Sequence, residues 1–175
     1  MNEVIQALLE RRSIRKFKPD MPAKADLEQI VEAGLYAPSG RGTQSPIIVA
    51  VTDRELRDRL SESNRAIGGM PEGFDPFYGA PAVLIVLVPK DAPLGTCDGS
   101  LAMGNMLLAA HALGLGSVWI HRAKEEFEQP AYQAVLKNLG IEGEWTGIGH
   151  CAVGYADCEM PKAAARKENR AFWVE

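Results

Sequence analysis

Seven consecutive apolar residues, Ala82 to Val88, place the tightest limit on how this chain can fold. A strand with one wet face alternates apolar and polar residues, so an unbroken β-favouring run predicts a strand covered on both faces. The run is far too short to span a bilayer. Part of the cover follows in the sequence. Residues Asp98 to Leu113 read as a helix that is apolar nearly all round and rich in Ala, Gly and Met, so it must be buried by the core or by a second subunit. Gly114 closes it as a C-cap.

Other elements are written by periodicity and capping. Val4, Ile5, Leu8 and Leu9 recur at helical spacing behind Asn2, a good N-cap, and predict a first helix running into Arg11-Arg12-Ser13. Leu27, Ile30, Val31 and Leu35 predict a second, stopped by Pro38-Ser39-Gly40. Ile47 to Val51 reads as a strand and the segment from Asp53 as a helix burying Leu56 and Leu60. Ser117 to His121 and Ile148 to Tyr155 read as strands, with a short helix over Pro130 to Leu139 between them. Gly68 to Gly79 has no periodicity and carries Phe74, Phe77 and Tyr78. It reads as a long loop, a lid being one option, whose aromatics either select a planar substrate or pack on the core. Ala171 to Val174 is apolar and β-favouring and needs a sheet edge to bury it. Helices and strands alternate without repeat or linker, so residues 1–175 are expected to form a single domain.

Several functions are disfavoured. The net charge of -4 argues against a nucleic-acid or anionic-membrane surface, which needs a basic excess. The first ten residues hold no apolar run behind basic residues, and the chain reads as cytoplasmic. Three cysteines without C-x-x-C spacing read as reduced thiols. His121, His150, Cys151 and Cys158 could ligate zinc, but such residues more often sit in buried strands, and no metal is expected. Phosphate-loop, zinc-peptidase and hydrolase motifs are absent. The Gly114-Leu115-Gly116 stretch follows a helix and precedes a strand, the reverse of a dinucleotide fingerprint.

Between Arg11 and Lys18 lie five basic residues and no acidic one. Such a run is a solvated face or an anion site. Arg-Arg-Ser-x-Arg sets forked donors and a hydroxyl where the chain leaves a helix, which suits a phosphate monoester and an adjoining polyol better than one carboxylate. Ala37-Pro38-Ser39-Gly40, with Gln44 beyond it, is either a helix stop and turn or a close backbone approach to a flat ligand, with Gln44 bonding a heterocycle edge.

Taken together, Arg11-Arg12-Ser13-x-Arg15, Ala37-Pro38-Ser39-Gly40 with Gln44, the Asp98 to Trp119 helix and strand, and Arg166 resemble the FMN-dependent nitroreductase family. The resemblance implies an α+β fold, a central mixed sheet flanked by helices, in an intertwined homodimer with FMN at the subunit interface. It implies that Arg11, Ser13 and Arg166 hold the phosphate with Arg12 nearby. Arg15 would face the ribityl chain and the N1/O2 edge of the ring. Pro38, Ser39, Gly40 and Gln44 would come from the other subunit, the backbone of Trp119, Ile120 and His121 would lie by the ring and N5, and Phe172-Trp173-Val174 would extend the partner's sheet. Many family members have Asn and then Pro-Trp around the glutamine where this chain has Gly42 and Ser45-Pro46, which makes Asn64 a candidate for the missing amide. The implied reaction is ping-pong: NADH or NADPH reduces the flavin at N5, and a nitroaromatic, quinone or similar acceptor reoxidises it. The rival expectations are a non-catalytic protein that stores or senses FMN, and a phosphate-binding regulatory module without flavin.

Overall fold

The computed structural model describes residues 1–175. In chain order it contains α1 (Glu3–Glu10), α2 (Lys24–Leu35), a 3-10 turn at Gly40–Gly42, β1 (Ile47–Val51), α3 (Arg54–Ile67), β2 (Ala82–Pro89), α4 (Gly95–Ala112), β3 (Gly116–Ile120), α5 (Ala123–Phe127), α6 (Pro130–Asn138) and β4 (Trp145–Gly154). The strands form one sheet in the order β1-β2-β4-β3.

The expected α+β class holds, but every named pair of strands is antiparallel, and the one parallel contact is an isolated bridge between Ser13 and Ser117. The reason lies in the connections. Val51 at the end of β1 pairs with Val83 at the start of β2, so α3 carries the chain away and the segment after it returns to the same end of the sheet. A parallel neighbour would need a crossover that ended at the opposite edge.

β2 is covered as its composition requires. Val83, Ile85 and Leu87 face a core shared with Ile14, Leu60, Phe77 and Phe127, while Ala82, Leu84 and Val86 face Ile30, Met103, Met106 and Ala110. Full burial of each large side chain contributes about 1.5–3 kcal/mol, so this strand anchors both layers. One layer is α3, α5 and α6; the other is α2 and α4.

The N-cap predicted at Asn2 is in place, its Oδ1 accepting from the Val4 N–H at 2.9 Å, and Asp53, where the sequence predicts the α3 segment to begin, also caps: its Oδ1 accepts from the Leu56 N–H at 2.8 Å. Gly114 takes φ +75 just past α4, where a Cβ would be strained. α1 is folded but unburied, its stripe of Val4, Ile5, Leu8 and Leu9 lying 48–60% exposed.

The Gly68–Gly79 segment is tied to α3 through Asp75. Asp75 accepts hydrogen bonds from the Arg57 guanidinium, from Ser61 Oγ at 2.7 Å and from the N–H groups of Phe77 and Gly79 at 2.9 and 2.7 Å. Phe77 is fully buried, with the Arg57 guanidinium carbon 5.4 Å from its ring centre. Phe77 plugs the core and Tyr78 packs against it, whereas Phe74 remains 39% exposed. Burial works against ionising Asp75, yet the hydrogen bonds from Arg57 and Ser61, the Arg57 charge and the Gly79 N–H outweigh it and hold the carboxyl below its usual range.

α5 is too short to show a period in the sequence. Its Glu126 meets His150 of β4 with Oε2 and Nε2 2.6 Å apart and both side chains fully buried. The tail from Cys158 onward is exposed, and Phe172 and Trp173 stand 81% and 87% exposed without a sheet edge in their own chain.

Candidate functional site

The basic run leaves α1 and is laid against the start of β3. The Ile14 N–H donates to the Ser117 carbonyl at 3.1 Å, and the Ile14 side chain is buried in the core. Alternation about that anchor leaves Ser13 part-buried and Arg15 exposed. A cavity of about 480 Å3 opens between Leu8 and Leu9 of α1, the Arg11-Arg12-Ser13 segment, and Ala163, Ala164 and Arg166 of the tail. Structure thus brings together four residues separated by up to 155 positions: Arg11, Arg12, Ser13 and Arg166.

Three guanidinium groups line this cavity and no carboxylate does. Two are partly engaged. Arg12 donates from one terminal nitrogen to the carbonyls of Leu9 and Arg11, both at 2.7 Å, and so caps the end of α1; Arg166 donates to the Ala164 carbonyl. Arg11 is different: one terminal nitrogen is buried and has no hydrogen-bond partner. A buried charged donor without an acceptor is costly, and an anion is what would satisfy it. A phosphate group therefore fits the residues present. Burial pushes the nearby Cys151 thiol up to about 12 against the opposing charge of Arg11, so it stays protonated near neutral pH and offers no nucleophile.

Arg15 lines no part of this cavity and no hydrogen bond or ion pair ties it down. Four residues and about 13 Å beyond Ser117, His121 follows the end of β3 at Ile120. The Trp119 indole packs where a Cβ on Gly149 would collide with it, and its Nε1 is buried without a partner. Ile120 is buried and His121 exposed. Asn64 does not offer a free amide, which corrects the expectation for it: Nδ2 donates to the His121 carbonyl at 2.8 Å and Oδ1 accepts from Arg122 Nε at 3.0 Å.

The Pro38–Ser45 loop lies away from the arginine cavity of its own chain. Ser39 Oγ accepts from the Gln44 N–H at 2.8 Å. Arg41, Gly42 and Gln44 all take positive φ, 56°, 66° and 49°, so the loop is held in a conformation that two of its side chains disfavour. Asp98, 4% exposed in the first turn of α4, does the holding: Oδ1 accepts from the Gly40 N–H at 2.8 Å and Oδ2 from Ser45 Oγ at 3.0 Å.

The profile of the Nitroreductase family matches residues 8–68 and 70–155. The chain belongs to the nitroreductase family. It is similar to a nitroreductase with bound FMN from Bacteroides fragilis, at 29% identity and a TM-score of 0.87 over the whole of both chains. It is also similar to an FMN reductase [NAD(P)H] of Bacillus subtilis, 30% identical over 81% of this chain and 66% of that one, and to an iodotyrosine deiodinase of Thermotoga neapolitana, 29% identical over 87% and 88%. The family and fold expected from the sequence are both met. No helix of this nitroreductase-family chain is long and apolar enough to cross a membrane.

Sequence reasoning missed the work of Asp98 and Asn64. Asp98 had a signal, since it is the sole acidic residue in a helix otherwise small and apolar, where a lone carboxylate must be compensated. Asn64 had one too: it lies four residues beyond Leu60, on the stripe of α3 that turns Leu56 and Leu60 toward the core.

Proposed function

We propose that this chain is an FMN-dependent oxidoreductase that spends NADH or NADPH on a small organic acceptor such as a quinone or nitroaromatic, working as a cytoplasmic homodimer of one domain per chain. The observation that carries this reading is that Arg11, one of whose terminal nitrogens is buried and unpartnered, lines a cavity together with Arg12, Ser13 and Arg166. The FMN names of its relatives support the same cofactor. When bound, FMN supplies two-electron chemistry: NAD(P)H gives up a hydride, and a quinone leaves as hydroquinone, or a nitro group as nitroso plus water, with one proton drawn from solvent.

In this reading Arg11, Ser13 and Arg166 grip the phosphate, and Arg12 mainly holds the end of α1 that presents them. Arg15, exposed and untied, supplies positive charge at the N1/O2 edge, where negative charge gathers on reduction. The backbone of Trp119, Ile120 and His121 flanks the ring, and the partner's copy of the Pro38, Ser39, Gly40 and Gln44 loop, stiffened by Asp98, closes it from the other side. None of these residues needs to act as nucleophile or base.

A second copy is favoured by what one copy leaves wet. The α1 stripe and the Phe172-Trp173-Val174 tail are exposed, and β1 is an outer strand beside an apolar groove of about 800 Å3 that includes Leu27, Val31 and Tyr36. The partner's tail is assigned to that edge. The test is direct. Purified protein should carry flavin absorbance released as FMN on denaturation, and should oxidise NADPH when a quinone is present. Bound FMN without turnover above free FMN would replace the enzyme by a storage or sensor protein, and failure to take up FMN would overturn the reading.

A further inference from the structure

Asn64 is completely buried in α3 and both ends of its carboxamide are used within the chain. Its two partners, the His121 carbonyl and the Arg122 side chain, belong to consecutive residues just beyond β3. One side chain therefore grips a single peptide unit from both of its residues.

The backbone at that unit is not relaxed. Arg122 takes φ 77° and ψ 7°, the left-handed region, which a residue with a Cβ disfavours. Its guanidinium lies where a Cβ on Gly68, the C-cap of α3, would meet it at 3.2 Å, at a helix end whose dipole favours a cation. No peptide bond in the chain is cis, so the Arg122 N–H points opposite to the His121 carbonyl and thus away from Asn64 and α3. Neither that N–H nor the N–H of His121 finds an acceptor within the chain. A strained peptide is bound into the core by its carbonyl and presents its donor on the other side with nothing to bond. Strain of this kind is kept where the surroundings over-determine it, and it marks functional sites.

We infer that Asn64 is a positioning residue: through the His121 carbonyl it aims the Arg122 N–H as a hydrogen-bond donor at the ring of the bound flavin. This rests on the FMN reading and adds to it a named side chain from the far layer of the sheet. Arg122 reinforces the arrangement by returning its Nε to Asn64 Oδ1. The donor is a backbone group, so its aim depends on whatever fixes the peptide plane and not on the identity of the side chain at 122.

Amide hydrogen exchange, with FMN itself as the probe, tests the inference in the wild-type chain and in Asn64→Ala. Adding FMN to the wild type should slow exchange at the Arg122 amide by about tenfold, the equivalent of one net hydrogen bond near the upper end of its range. In Asn64→Ala that slowing should vanish, and the visible absorption bands of bound FMN should shift, while FMN still protects Ser13 beside the phosphate cavity. Arg122→Gly, which enters the left-handed region freely and keeps the bond from Asn64 to the His121 carbonyl, should retain the protection at position 122. Wild-type protein that takes up FMN without slowing the Arg122 amide refutes this inference and leaves the FMN reading standing, and the measurement does not depend on any variant folding. Equal protection at Arg122 in Asn64→Ala and wild type also refutes it. Wild-type protein that takes up no FMN refutes the underlying reading instead.

Discussion

Replacing Arg11 by leucine should move the stability of the FMN-free and FMN-bound protein in opposite directions. One terminal nitrogen of Arg11 is buried without a partner, so in the FMN-free chain the guanidinium is a liability. Arg11→Leu keeps apolar bulk beside Leu8 and Leu9 and removes the stranded charge, and the FMN-free variant should melt at or above the wild-type temperature. In the complex the same nitrogen gains an anionic acceptor. A charge-assisted hydrogen bond contributes about 1.5–3 kcal/mol, so its loss should weaken FMN binding about 10- to 150-fold. At saturating FMN the same energy appears as missing stabilisation, and for a chain of this length it lowers the FMN-linked rise in melting temperature by about 3–12 °C. Paired thermal melts with and without FMN, backed by titration calorimetry, measure both quantities. An equal FMN-linked rise in variant and wild type would refute the argument. So would a fall of several degrees in the FMN-free variant, since Arg11 would then be holding the fold and not waiting for a ligand.

The depressed Asp75 carboxyl contributes stability that is fully present above the pKa of an unfolded aspartate and is lost as pH falls through the lower folded value. Urea unfolding followed into acid should therefore show a limb of declining stability that Asp75→Asn flattens. Asp98→Ala leaves the Gly40 N–H without its acceptor, at a cost of about 1–3 kcal/mol, and should speed amide exchange at Gly40 and Gln44 and weaken FMN uptake without unfolding α4. Removing residues 171–175 should shift sedimentation toward the single chain, because Phe172 and Trp173 have nothing to cover in their own copy.

Much of the architecture was legible because its signals are local. The apolar run of β2 announced two covered faces, and Asn2, Asp53 and Gly114 marked helix ends through contacts a few residues away. The antiparallel order was not legible, since it depends on where the Gly68–Gly79 segment returns the chain, and that is fixed by Asp75 meeting Arg57 and Ser61 of α3 across a dozen or more positions. Of the expected site, Arg11, Arg12, Ser13 and Arg166 converge within one chain, whereas Pro38 to Gln44 do not line their cavity. For side chains that hold the backbone, such as Asn64 and Asp98, spacing and composition hinted at burial, but their partners lie 57 and 58 positions away and left no local trace.

Arg11 is the C-cap of α1, so the wet apolar stripe and the anion grip ride on one stiff rod of eight residues. If the proposed second copy covers that stripe, its departure would leave the rod wet and free to fray from the end that carries Arg11. Colour then becomes a gauge of self-association, and on serial dilution the yellow of the protein should fade along the same curve on which pairs come apart.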